Sequence, residues 1–468
     1  MVALSTFILF ALALFLFAYM GTQAVRGTVD IVSTRNLFLL GLVIFQLTGP
    51  AMSMVLGARS SFYPSNLPST SIVYTLMVSV FVVLFLVSYM NSTKIVDNVL
   101  SRRQASHLHY SPAALMTIAF ATIPIGLVCQ FVLVYIPVFG PGFRMLSYGM
   151  YTVGSGLASW VWFKRFYNPV YMTLAITVIM MALLLTFYKN FGRRPLVGVA
   201  VGIGWAAYYS HWRSLGLGAV IKRGAIVAFG GFFLLALVTS ARDSSTQKQS
   251  ILQNVSALKG ASFSSGAMDL VTGQQAGMTS MWLLETRPNS KNYDTLHTVY
   301  SVLTFPIPRA SWPGKPVGLS ISMPSSEMKI AGKPRDWNIG PGLIGHIEND
   351  NPFIALWLYP IFFGIYFRVF DRVVALFPEN PFAVLPMGAA LGQIIAMPRG
   401  ELGSFFFIAN LNVFGALAIM ISISFVLKLL GFISYQADDE ELYYDDGYDQ
   451  DDNQYDYYGD DQSTMESG

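Results

Sequence analysis

Charge is what this sequence has least of. Only 12% of its 468 residues are Asp, Glu, Lys or Arg, roughly half the share of an ordinary soluble domain. Hydrophobic residues make up 54%, and mean hydropathy is +0.51. That balance argues against a soluble globular enzyme. It excludes a soluble nucleic-acid binder, whose basic groups need a polar surface to sit on. Cysteine is nearly absent. The single Cys129 lies in an apolar run, so there is neither a disulfide framework nor a cysteine metal site, and it reads as a small core or lipid-facing residue. The sequence also lacks a Gly-rich nucleotide loop, a G-x-S-x-G elbow and an H-E-x-x-H pair. ATP is therefore not indicated, and bond energy has to arrive with the substrate. No fixed-period repeat is present, which argues against an inverted-repeat transporter.

What charge there is divides unevenly. Lys and Arg number 29 against 26 Asp and Glu, a net +3. Thirteen of those acids lie between Asp438 and Glu466, where there is no Lys or Arg. The rest of the chain thus carries 29 basic against 13 acidic residues, a net +16. The tail 437–468 is rich in Asp, Glu, Tyr, Gln and Gly and has no apolar periodicity. It reads as a disordered, solvated segment that either repels an anionic leaflet or meets a basic partner.

The body reads as an all-α polytopic integral membrane protein. About 20 mostly apolar residues cross the hydrocarbon core. Strong spans by that test fall near 2–20, 37–56, 72–90, 113–137, 169–187, 224–240, 352–368, 381–397 and 403–432. Two weaker ones, the Gly- and Ser-containing 145–163 and the short 195–210, bring the total to about 11, within 10–12. The first has no basic flank or cleavage pattern and reads as a retained span rather than a signal. About eight spans occupy 1–240 and about three occupy 352–436.

Basic residues in the short loops give an orientation. With the N-terminus outside, 12 Lys or Arg fall in cytoplasmic segments and 6 in short external loops, the loop 188–194 dissenting. The connection 241–351 is then a large external, periplasmic loop, and the acidic tail is cytoplasmic. That loop holds ten Lys or Arg and eight Asp or Glu. Two stretches in it have helical spacing: 264–285, with Met268, Leu270, Val271, Met278, Met281, Trp282 and Leu284, and 293–303, with Tyr293, Leu296, Val299, Tyr300 and Leu303. Such stripes usually pack against other protein or the membrane surface.

Three clusters have side chains suited to chemistry. The first is Pro306-Ile307-Pro308-Arg309-Ala310-Ser311-Trp312-Pro313-Gly314-Lys315-Pro316. Its prolines stiffen the backbone, an Arg fork and a Lys point charge suit phosphate oxygens, and Trp suits a sugar face or the membrane interface. A rigid loop with solvated cations is the alternative. The second runs from Trp337 to Pro352 and contains His346, Glu348 and Asp350. A base at the membrane face is one reading; a hydrogen-bonding bystander is another, and a metal site has no recognised spacing here. The third is Pro398-Arg399-Gly400-Glu401, where about four polar residues separate two apolar runs. Charges pinned at that depth are costly and often functional, although a snorkelling Arg in a turn would look the same.

The order Pro308-Arg309…Trp312-Pro313…Lys315-Pro316, then Gly340-Pro341…Leu343-Ile344-Gly345, then a span, then Arg399-Gly400, resembles the Wzy-type O-antigen and oligosaccharide repeat-unit polymerases. The resemblance covers roughly 280–405 in motifs and 1–436 in architecture. This chain departs from it in having His346 where many relatives carry an acid, Asn351-Pro352-Phe353 where an Asn-Phe-Gly-like turn is usual, and the acidic tail.

The resemblance implies a glycosyltransferase of the bacterial cytoplasmic membrane. It would polymerise polyprenyl-diphosphate-linked repeat units into O-antigen, capsule or exopolysaccharide, without cofactor or metal. Arg309, Lys315, Arg399 and Arg287 would bind diphosphate. Trp312, Tyr300 and Trp337 would bind sugar, and His346, Glu348 and Glu401 are the candidates for the catalytic base. A flippase and a chain-length regulator are the expected protein partners, beside membrane lipid; nucleic acid is not. The alternatives are a transporter or flippase of the same lipid-linked sugars, a ligase-like transferase sharing the donor, and a scaffold of an export complex.

Overall fold

The computed structural model describes residues 1–57, 63–100, 110–137, 139–186, 193–243, 259–272, 276–289, 291–307, 311–327 and 339–432. Every regular element among them is helical. Eight helices among the described residues are long and apolar enough to cross a membrane, and the protein is a helical membrane protein. In chain order the main helices are α1 (Val2–Val25), α2 (Thr34–Leu56), α3 (Leu67–Asn91), α4 (Pro112–Phe131), α5 (Gly140–Lys164), α6 (Pro169–Thr186), α7 (Arg193–Ser210) and α8 (Leu217–Asp243). Shorter ones follow: α9 (Phe263–Thr272), α10 (Ala276–Thr286), α11 (His297–Thr304), α12 (Leu319–Glu327) and α13 (Gly342–Asn349). The chain then re-enters the bundle as α14 (Pro352–Leu376), α15 (Pro381–Ala396) and α16 (Leu402–Leu429).

Several starts follow one local rule. Ser111, Asn168, Asn351 and Asn380 each precede a proline, and each side chain accepts a backbone N–H of the first turn. The cap satisfies one orphan donor, and the proline has no N–H to orphan. Helices also run past the apolar runs that mark them. The apolar run 224–240 becomes a helix from Leu217 to Asp243.

Burial separates two kinds of helix. On α1, α6 and α8 only 22% of the apolar window is covered by protein, leaving side chains such as Phe7, Leu14, Phe229 and Val170 outward for lipid. Helix α5 is the opposite case, buried continuously from Leu146 to Val161 and packed by α4, α6, α7, α15 and α16. Its Gly and Ser residues permit that approach. A Cβ on Gly154 would stand 2.4 Å from Thr122 Oγ1. A central helix has no lipid to satisfy and packs on small residues instead, which is why 145–163 reads weakly as a span.

Helix α2 is interrupted by a π turn at Val43–Thr48. Its cause is legible locally. Pro50 has no N–H to give the carbonyl of Gln46, and the Tyr74 hydroxyl of α3 takes that carbonyl instead at 2.7 Å.

The short helices α10 to α13 gather at one end of the bundle. Met278 and Met281 of α10 enter the main core, while Leu283, Leu319 and Met323 form a small core of their own. Of the stripe over 264–285, the side chains of Leu270 and Val271 lie outside the described residues. The expected helix over 293–303 starts late, at His297. Tyr293 and Leu296 precede it because Asp294 and Leu296 spend their N–H groups on the carbonyls of Asn349 and Asp350, and Leu296 sits at φ 60°.

Candidate functional site

Three of the residues singled out in the sequence meet at that end of the bundle. Lys315, Arg399 and Glu401 line one cavity of about 320 Å³, together with the hydroxyl-bearing Ser301, Ser320 and Ser404. That volume is at the lower end of small-molecule sites. Arg309 and Trp337 lie outside the described residues.

The turn carrying Arg399 and Glu401 is held from several sides. The carbonyl of Pro398 accepts from Gln46 Nε2 of the π turn at 2.5 Å and from the N–H of Leu343 at 3.0 Å. Gly340 lies so near that a Cβ there would stand 2.4 Å from the Arg399 carbonyl. Gly342, at φ +74°, packs on Gln46 and Ser280. The glycines of the 340–345 stretch thus serve close approach to this turn and to α10. Arg399 is half-buried with its guanidinium 5.7 Å from the centre of the Phe45 ring. The Lys315 ammonium donates to the carbonyls of Phe305 and Ile307, 2.8 Å each, at the end of α11, so part of its charge is committed to that helix end.

Glu401 is 6% exposed. Its Oε2 accepts the Ser320 N–H at 2.6 Å, and its Oε1 has no hydrogen-bond partner among the described residues. Behind it, His346 is fully buried. The ring Nε2 accepts the Leu402 N–H at 3.0 Å and stands 3.8 Å from Glu401 Oε2. A neutral ring whose Nε2 accepts carries its proton on Nδ1, which here donates to Thr298 Oγ1 at 2.8 Å. Both nitrogens are occupied, so His346 orients the Glu401 turn and has no lone pair to offer a substrate.

The chain of polar contacts continues inward. The Thr298 hydroxyl is bonded to Tyr359, whose own hydroxyl donates to Asp350. Asp350, fully buried, also accepts the Thr298 N–H at 2.7 Å and the Asn349 amide at 3.2 Å. Asn349 in turn accepts from Arg287 Nε and Nη2, at 3.3 and 3.1 Å. Arg287 is 2% exposed and belongs to this network; it does not line the cavity. The sequence expects it to bind diphosphate; in the structure its Nε and Nη2 are on Asn349 of α13, away from the cavity. Gln46, Tyr74, Thr298 and Tyr359 are contributors that the sequence did not single out.

Glu348 also faces away from the cavity, toward Tyr293 and Arg287. Burial pushes its carboxyl up to about 7, against the lowering effects of the Tyr293 hydrogen bond and the Arg287 charge. His346 and Asp350 thus share Thr298, whereas Glu348 points to Tyr293 and Arg287. Among the described residues no three His, Cys, Asp or Glu come together as metal ligands. Tyr300, half exposed, meets Trp312 edge to face at 6.1 Å; neither lines the cavity.

The raised Glu348 value has a measurable consequence. The folded chain keeps a proton that the unfolded chain releases from about pH 4.5 upward. Stability is therefore greatest below that pH and falls as pH rises to about 7, by about 3 kcal/mol in all. Glu348→Gln cannot ionise. Thermal melts are expected to show the variant above wild type at pH 8 and level with it at pH 4.5; parallel curves at both pH values would refute the assignment.

No protein-family model, curated protein or solved structure matches this chain.

Proposed function

We propose that this protein is a membrane glycosyltransferase that joins polyprenyl-diphosphate-linked oligosaccharide units on the outer face of the bacterial cytoplasmic membrane. The observation that carries the reading is the unpartnered Glu401 Oε1 in a cavity shared with Arg399 and Lys315 at one end of an apolar bundle. Glu401 takes the proton of the acceptor hydroxyl. That oxygen forms a bond to the anomeric carbon of the donor sugar as the bond from that carbon to the diphosphate oxygen breaks. The electron pair leaves on the lipid diphosphate, whose charge is met by Arg399 and Lys315. Ser301, Ser320 and Ser404 offer hydroxyls to sugar. Holding both lipid-linked substrates at one membrane face supplies proximity.

In this reading the chain crosses the membrane eleven times, the three additional passes being α5, α7 and α15. The N-terminus and the 241–351 segment are periplasmic, and the acidic tail is cytoplasmic. A flippase delivers the donor units and a chain-length regulator acts on the product. The position of the cavity at the bundle end favours transfer over transport, since transporters place their charged sites near the bilayer midplane.

The test is elongation of a purified lipid-linked repeat unit by full-length protein in nanodiscs. Arg399→Ala is expected to slow elongation by about 10²-fold. Elongation at the wild-type rate by a monodisperse variant removes the diphosphate assignment. Transfer of a single unit to a different lipid acceptor, without a ladder, would indicate the ligase reaction instead.

A further inference from the structure

A second cavity, of about 230 Å³, lies at the other end of the bundle. Pro352 opens α14 beside the Glu401 end, and Asp371 of the same helix lines the second cavity. Nineteen residues at 1.5 Å each place them roughly 28 Å apart, about the thickness of the hydrocarbon core. The charged residues in its wall are Arg213, Arg368, Arg372, Asp30 and Asp371, three cations against two anions.

The acids are already committed. Asp371 accepts from the Thr34 N–H and hydroxyl (2.7 and 2.6 Å), the Arg35 N–H (3.2 Å) and the Tyr89 hydroxyl (2.9 Å). None of these donors is a guanidinium. Asp30 holds Arg213 Nε at 3.1 Å and the Tyr208 hydroxyl at 2.9 Å. Arg372 pairs through Nε, at 2.8 Å, with Asp97 outside the wall.

Arg368 is the surplus charge. It makes no hydrogen bond or ion pair with any described residue, and its Nε is buried without an acceptor. Its one described partner is the face of Tyr89, 5.4 Å away. A buried guanidinium N–H without an acceptor is costly, and Arg368, half-buried, leaves its terminal nitrogens for a ligand. Its planar fork suits a phosphate, as do the terminal nitrogens of Arg213 and Arg372, whose ion pairs run through Nε.

We propose that this second cavity binds a negatively charged phosphate group, supplied either by an acidic lipid headgroup or by free phosphate, with Arg368 as its principal ligand. The site is independent of the glycosyl-transfer reading. It lies at headgroup depth, where one leaflet of a cell membrane is rich in anionic lipid.

The test uses full-length protein in neutral detergent with two probes, dioleoyl phosphatidylglycerol and sodium phosphate. Binding is followed by native mass spectrometry for the lipid and by thermal shift for the salt. Wild type is expected to bind at least one probe saturably, and Arg368→Gln to bind it about tenfold or more weakly. Lys94→Gln, an exposed cation at the same end but outside the wall, is expected to bind as wild type does. Saturable binding of the lipid alone identifies a headgroup site, and saturable binding of phosphate identifies a soluble-anion site; both support the proposal. Where Arg368→Gln is not monodisperse, Arg213→Gln, with a side chain 42% exposed, carries the same expectation. Equal binding of both probes by wild type and the cavity variant overturns the proposal, as does an equal loss in Lys94→Gln, which would reduce the effect to general attraction between charges.

Discussion

Glu401→Gln is expected to lower elongation of a lipid-linked repeat unit by between about 10² and 10⁴-fold, the range for loss of a positioned general base. The substitution isolates chemistry from folding. The glutamine carbonyl can still accept the Ser320 N–H that Glu401 Oε2 accepts at 2.6 Å, and the side-chain volume is kept. What disappears is an oxygen able to take a proton, the unpartnered Oε1. Glu401→Asp keeps the carboxylate but draws it back by one methylene, so an intermediate rate is expected. His346 and Glu348 offer no replacement base at this cavity, one because both ring nitrogens are engaged and the other because it faces Tyr293 and Arg287. Rates are to be read from glycan ladders under single-turnover conditions. A Glu401→Gln protein that elongates as wild type does would leave this carboxylate a purely structural role.

The second large effect is on stability. Asp350→Ala is expected to cost about 3–5 kcal/mol, the range for removing one partner from a buried charged network. The Thr298 N–H, the Tyr359 hydroxyl and the Asn349 amide all lose an acceptor, and a buried donor left without one is expensive. The loss propagates because Asp350 ties α11 to α14, and because Asn349, which it orients, holds Arg287 at the end of α10. Asp350→Asn keeps one accepting oxygen and is expected to lose less. Melting of full-length protein in detergent, with limited proteolysis between 287 and 350, reads both effects. An unchanged melting temperature in Asp350→Ala would show that the segment is held by apolar packing alone.

The helical membrane architecture was legible because long apolar runs bounded by Asn-Pro or Ser-Pro steps admit few other structures in lipid. The weak signal at 145–163 was weak for a physical reason, since α5 is enclosed by protein and packs through Gly and Ser. Glu401 and Arg399 were legible because a short polar turn between apolar runs has nowhere else to place its charges. The partners that hold that turn were not. Gln46 reaches Pro398 across 352 positions of sequence, and it is presented by a π turn that periodicity does not encode. The setting of Arg287 was not legible, because a cation in a polar segment looks the same from sequence whether it meets substrate or an asparagine. The late start of α11 was hidden likewise, because Leu296 belongs to the apolar stripe while its backbone pairs with Asp350.

The π turn at Val43–Thr48 has a bearing on descent. A π turn accommodates one residue more than the α turn it replaces, so the faces of α2 before and after it are out of phase by about one residue, or 100°. Phe38 and Leu42 lie on one side of that break, and Ala51 and Met54 on the other, all of them buried. An ancestor with an unbroken helix would therefore have differed here by the gain or loss of one residue, not by a substitution. In any protein descended from it, an alignment gap of one at this place would accompany the presence or absence of an anchor under the Arg399 turn.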